Sequence, residues 1–280
     1  MNDSVKEARS YYAPRGGLPD PKTRAHDRSV FTNAYAVIPR GVMSNIVASF
    51  LPGWIGCRAW ILARPMTGFS ETFAQYLIEM MPGGLSDRPE PDPGAEAVLF
   101  GLRGDMVLEI EGQTYVFRPG SYAYIAPGTD WRILNRHEGR SNFVWVRKRY
   151  EPLEGLPAPD TFVTHDDDEP VHYMTDEDRN WATTRFVDPG DMRHDMHVNI
   201  VTFLPGGNIP FAETHVMEHG LYVLQGRGVY YLNEDWVEVE EGDFMWLRAF
   251  CPQACYASGK EPFRYLLYKD VNRHPKLTLG

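Results

Sequence analysis

Cysteine is scarce in this chain, with three in 280 residues: Cys57, Cys251 and Cys255. The count is odd and too small for a disulfide framework, so a reducing compartment is expected. Basic residues are also in deficit, 28 Lys and Arg against 38 Asp and Glu, for a net charge of -10. Such a chain repels a phosphate backbone, and no basic stripe offsets the charge, so nucleic acid is not an expected partner. No apolar run approaches the length of a membrane span, and the first residues, MNDSVKEARSYYAPRGG, lack the basic and apolar regions of a signal peptide. The expected location is therefore cytoplasmic, with no membrane partner. Helical periodicity is scarce too.

What the chain does have is β-structure. Short β-branched or aromatic runs separated by Gly, Pro, Asn or Asp predict an antiparallel sandwich or barrel. One series runs from Arg58–Leu62 to Phe143–Lys148 and a second from His197–Leu204 to Phe263–Tyr268. The two repeat one another: Val107 to Ile125, turning at Gly120, has the layout of Gly228 to Leu247, turning at Gly242. The economical reading is two tandem barrels. Residues 1–60 then form an arm with lead-in strands, 61–150 the first barrel, 151–180 a linker and 181–280 the second barrel. Proline density and the acidic run Asp166 to Glu169 mark the linker, with weak Ca²⁺ binding by that run as the lesser alternative.

Glu213, His215, His219 and Gln253 in the second series could close around one metal ion. Residues two apart on a strand share a face, which places Glu213 and His215 together, their Cα atoms roughly 7 Å apart. One carboxylate, two imidazoles and an amide oxygen suit Mn²⁺, Fe²⁺ or Zn²⁺. His215 to His219 also spells H-x-x-E-H, the pattern of a helical zinc peptidase. Gly206, Gly207 and Pro210 before it and Gly220 after it argue against a helix. Cys251 and Cys255 read as inert buried thiols, His194 and His197 as structural histidines, and Glu218 as a solvated residue of opposite strand parity to His219.

The spacing of Gly207, Glu213, His215, His219 and Gly226, with Gln253 eleven residues after Gly242, resembles the two motifs of the cupin superfamily. The ligand types are permuted, with Glu213 in place of the first His and His219 in place of the Glu. Within that superfamily the chain is similar to the (S)-ureidoglycine aminohydrolase family of bicupins. Glu213 to Gly220, Val223 to Tyr230, Tyr265 to Arg273 and Lys148 to Gly155 all carry the likeness, which is strong from about Asn199 to Arg273. The resemblance implies an all-β chain of two cupin (jelly-roll) barrels and one Mn²⁺ per chain held by Glu213, His215, His219 and Gln253. It further implies hydrolytic deamination of a small ureido substrate to (S)-ureidoglycolate and ammonia, in allantoin and purine degradation. Lys269 would carry protons, and Glu213, Tyr230, Tyr265 and Lys269 would contact substrate. A homo-oligomer is expected by analogy.

The first barrel has Pro or Gly where Glu213 and His215 stand, and Trp131 where Gln253 stands, so metal is expected in the second barrel only. Two other functions fit the same residues. Two histidines and a carboxylate also make the facial triad of a metal-dependent oxygenase. A non-catalytic bicupin that binds a small molecule is the other.

Overall fold

Gly and Pro turns cut the chain into antiparallel strands, as the sequence leads one to expect, in a computed structural model that describes residues 6, 9–14, 17–18, 28–175, 179–271 and 273–274. Most of the expected arm before residue 28 and the last six residues of the expected second barrel lie outside the described residues. The strands build two tandem β-barrels, the all-β architecture expected above. No helix among the described residues is long and apolar enough to cross a membrane.

In the first barrel, Ala74–Ser86 pairs with Trp54–Ala63 on one side and Ser141–Arg149 on the other, and Ser141–Arg149 continues to Ala95–Arg103 and Ser121–Ile125. Its interior is packed with aromatic rings: Trp54 and Trp131 meet Trp145, Phe143 stacks on Trp54, and Tyr76 meets the Trp145 ring edge-on at 5.2 Å.

The second barrel has two sheets. One runs Tyr35–Ile38, Phe244–Leu247, His219–Gln225, Phe263–Asp270, Met196–Phe203 and Trp181–Thr184, with short strands at either edge. The other runs Asn208–Glu213, Gln253–Ser258, Arg227–Leu232 and Asp235–Glu240. Alternate side chains of the larger sheet have different destinations. Leu221, Val223, Phe263, Tyr265, Val201 and Phe203 fill the barrel. Tyr222, Leu224, Leu266, Tyr268, Val198 and Ile200 face the first barrel and form a common core with Leu77, Phe100 and Val144. Both faces are dry, which accounts for unbroken apolar runs such as Leu221-Tyr-Val-Leu224.

Contact between the barrels is close at Gly220. A Cβ there would lie 2.5 Å from the ring of Phe73, which stacks on Tyr268 with centroids 4.0 Å apart. A glycine after His219 is thus a packing requirement of the barrel interface.

The segment expected as a linker is built into both barrels. Phe162–His165 pairs with Ser121–Ile125, and Val171–Tyr173 pairs with Trp181–Thr184. Asp166 is fully buried, where Arg264 donates to it at 2.6 Å, Tyr11 at 2.9 Å and Arg9 stands 3.0 Å away. A buried carboxylate needs such partners, so this part of the acidic run is a structural anchor and not a solvated stretch. The arm is anchored as well: the Tyr12 amide donates to the Leu224 carbonyl, and Tyr35–Ile38 joins the second barrel's sheet.

Candidate metal and active site

His219 begins the His219–Gln225 strand, and its side chain follows the parity of Leu221 and Val223 into the second barrel. His215 sits in the loop before it, held by the bond from the Phe250 amide to the His215 carbonyl. The two Nε2 atoms face each other at 3.1 Å, and Gln253 places its amide group 3.0 Å from His215 Nε2. No helix carries the pair, which removes the helical peptidase reading.

The chemistry of these donors tests the fit to a cation. His219 Nδ1 lies 3.2 Å from the Tyr268 carbonyl, which can only accept, so Nδ1 carries the proton and Nε2 a lone pair. If the Gln253 amide donates to His215 Nε2, that nitrogen also presents a lone pair. Two lone pairs at this distance repel unless a cation lies between them. Burial, aided by His215 and Lys269, pushes the His219 pKa down to about 3, which disfavours a proton as that cation. Two nitrogens about 2.1 Å from a shared ion, at a near-right angle, lie about 3 Å apart. The donor set fits a divalent metal.

Glu213 is the outlying member. It is the Cα partner of Gln253, beyond an irregularity in the Asn208–Glu213 strand. No three His, Cys, Asp or Glu side chains among the described residues are close enough to share an ion. The arrangement brings together His215, His219 and Gln253 and leaves the Glu213 carboxylate half-buried at the rim. Burial raises its pKa, opposed by the nearby charges of His215 and Lys269.

Lys269 is the Cα partner of His219 on one side and of His197 on the other. It has the parity of Phe263 and Tyr265, so its side chain belongs to the interior face. Burial lowers its pKa, the neighbouring Arg185 adds to the effect, and Glu213 opposes it. Tyr230 and Tyr265 are both interior, with ring centroids 6.0 Å apart, while Tyr231 lies outside against Trp236. Burial raises both interior hydroxyls well above the ordinary phenol value. Cys255, the Cα partner of Tyr230, is a buried thiol whose pKa burial also raises.

With this geometry in hand, comparison with known proteins is decisive. The model of the cupin domain matches residues 76–147 and 199–268. The chain is 33% identical over 242 residues to the (S)-ureidoglycine aminohydrolase of Escherichia coli (strain K12), covering 86% of this chain and 89% of that protein. This chain belongs to the cupin family of (S)-ureidoglycine aminohydrolases. The enzyme of that name from Arabidopsis thaliana is 32% identical over 249 residues, covering 89% of this chain and 79% of that one. Among solved structures, a Pseudomonas aeruginosa protein described as glyoxylate-induced is 60% identical, with a TM-score of 0.90 over 97% of this chain and 100% of its own.

Two features of this cupin differ from the expectations above. Glu218 is 5% exposed and is not solvated. Its carboxylate accepts from the Glu71 and Thr72 amides at 2.9 Å each, the Thr72 hydroxyl at 2.6 Å and Trp246 Nε1 at 2.7 Å. It ties the residue next to His219 to a loop of the first barrel. Strand parity with His219 put Glu218 on the outer face, but that face is covered by the other barrel.

His197 is the second difference, since it shares the interior face of Val201 and Phe203 and stands in one row with Lys269 and His219. Its strand is anchored by Asp195, which accepts from Lys148 at 2.5 Å and from the Glu151 amide at 2.7 Å. That contact gives the Lys148 to Gly155 segment a role in shaping the second barrel. Polar residues at alternate positions, His197 and Asn199, on a strand otherwise apolar on that face were the available signal.

Proposed function

We propose that this protein is a metal-dependent aminohydrolase that converts (S)-ureidoglycine and water to (S)-ureidoglycolate and ammonia, with Mn²⁺ as its ion. The observation that carries the proposal is the facing Nε2 atoms of His215 and His219 beside the Gln253 amide, in a barrel interior where Lys269 is the Cα partner of His219. The relatives named for this reaction supply the substrate.

His215, His219 and Gln253 would hold the ion, with Glu213 moving in from the rim. When bound, the ion supplies Lewis acidity and a template for the substrate carboxylate. Lys269 serves as proton carrier. Its lowered pKa gives a larger neutral fraction than an exposed lysine has, which suits an amine that takes and returns a proton. Lys269 Nζ protonates the departing amine nitrogen and receives a proton from the attacking water. The C–N bond to that amine breaks, and a C–O bond forms at the same carbon. Tyr230 and Tyr265, kept protonated by burial, donate to the ureido carbonyl. The protein is proposed to work in the cytoplasm as a homo-oligomer.

The same two histidines and carboxylate would serve an oxygenase, and the presence of oxygen separates the two reactions. Ammonia release from fresh (S)-ureidoglycine should proceed at the same rate in air and under argon. A rate that collapses under argon overturns the hydrolytic proposal.

A further inference from the structure

His197, Lys269 and His219 form one row across three adjacent strands, with His197 on the side of Lys269 away from the imidazole pair. Asn199 is two residues along the same strand and has the same interior parity. Both side chains are buried, at 5% and 6% exposure. Among the described residues, His197 Nε2 and Asn199 Oδ1 have no hydrogen-bond partner, whereas the Tyr230 hydroxyl is met by Tyr265 and Cys255. An unpartnered buried polar atom costs about 1–3 kcal/mol, so atoms of this kind in a native interior call for a bound partner. Here they share the interior face of the second barrel with Lys269 and His219.

The chemistry of the unmet atoms indicates which part of a substrate belongs there. An amide oxygen and a neutral imidazole are poor hosts for a carboxylate, and burial pushes the His197 pKa down to about 4. The anionic end of the substrate has better partners in Lys269 and the ion. The ureido end is neutral and offers three N–H donors and one carbonyl acceptor, so it suits Asn199 Oδ1, His197 Nε2 and a tyrosine hydroxyl together. Tyr265 is the Cα partner of Val201, one step along the same interior face.

We infer that His197 and Asn199 form the ureido subsite, accepting the substrate's N–H groups while Tyr230 and Tyr265 donate to its carbonyl. The inference rests on the reaction proposed above and names the residues that distinguish a ureido acid from a plain hydroxy acid. A hydroxy acid without the ureido group leaves both atoms unmet and loses affinity.

Calorimetry on the metal-loaded full chain tests this with two ligands, (S)-ureidoglycolate and glycolate, which differ by the ureido group. Wild type should prefer ureidoglycolate. Asn199→Leu and Asn199→Ala should each reduce that preference about tenfold, the value of one hydrogen bond of about 1.4 kcal/mol, with glycolate affinity and metal content unchanged. His197→Phe should do the same, and His197→Gln should recover part of the loss. An unchanged preference in the folded Asn199 and His197 variants shows that the two atoms are met by water alone and overturns the subsite. Wild type that neither releases ammonia from (S)-ureidoglycine nor binds ureidoglycolate overturns the reaction itself. The two failures are therefore distinct.

Discussion

His219 Nε2 faces His215 Nε2 at 3.1 Å while the Tyr268 carbonyl fixes the His219 tautomer, a geometry that a divalent cation between the two rings would fit. Removing His215, the more exposed partner, should abolish metal binding without unfolding the chain. Saturating wild type with Mn²⁺ at one hundred times its Kd should add about 2.7 kcal/mol of stability, visible as a rise in Tm. His215→Ala should show neither the rise nor one bound ion per chain by elemental analysis. A variant that retains one ion per chain contradicts the ligand assignment.

Lys269 has His219 and His197 as its neighbours in register, and the proposed reaction uses it as the proton carrier. Lys269→Ala should keep its metal and lose about 10²–10⁴-fold in kcat. Full turnover in the variant would remove Lys269 from the mechanism.

Glu218 accepts three hydrogen bonds from Glu71 and Thr72 across the barrel interface and a fourth from Trp246 of its own barrel. Glu218→Ala leaves buried N–H donors without an acceptor, at about 1–3 kcal/mol each. Urea unfolding should show a loss of about 3 kcal/mol or more, with Glu218→Gln losing less because it keeps one acceptor. Stability equal to wild type would show that the carboxylate carries no such load.

Two barrels and their strands were legible in the sequence because turn residues and alternating side chains are local signals. The approach of His215, His219 and Gln253 was legible as a spacing. What parity could not reveal was the second partner of each sheet: the outer face of a barrel strand reads as solvent until the other barrel covers it, and Glu218 was misplaced for that reason, while Asp166 was read as part of a solvated charge run. His197 was read only as a structural histidine and Asn199 was not singled out, because register across three strands, which sets His197 beside Lys269, is a long-range property.

Burial holds His197 neutral, its pKa about 4 against 6.5 for a free imidazole. Between those values the unfolded chain binds a proton that the folded chain does not. The stability associated with neutral His197 is therefore complete above pH 6.5 and is lost as pH falls toward 4. Asp270, whose carboxyl burial lifts to about 6, acts in the opposite sense, so the informative quantity is the difference between wild type and His197→Gln. Urea titrations should show wild type losing stability relative to the variant as pH falls through that window. A difference independent of pH would contradict a buried neutral His197.

The central claim is that one ion in the second barrel drives ammonia release, and the initial rate on freshly made (S)-ureidoglycine tests it most directly. Spontaneous decay of the substrate is measured alongside and subtracted. Metal-stripped protein should match the spontaneous rate, Mn²⁺ should restore release well above it, and His215→Ala with Mn²⁺ should stay at the spontaneous rate. Equal release by stripped and reloaded wild type, or release restored in His215→Ala, would contradict the account.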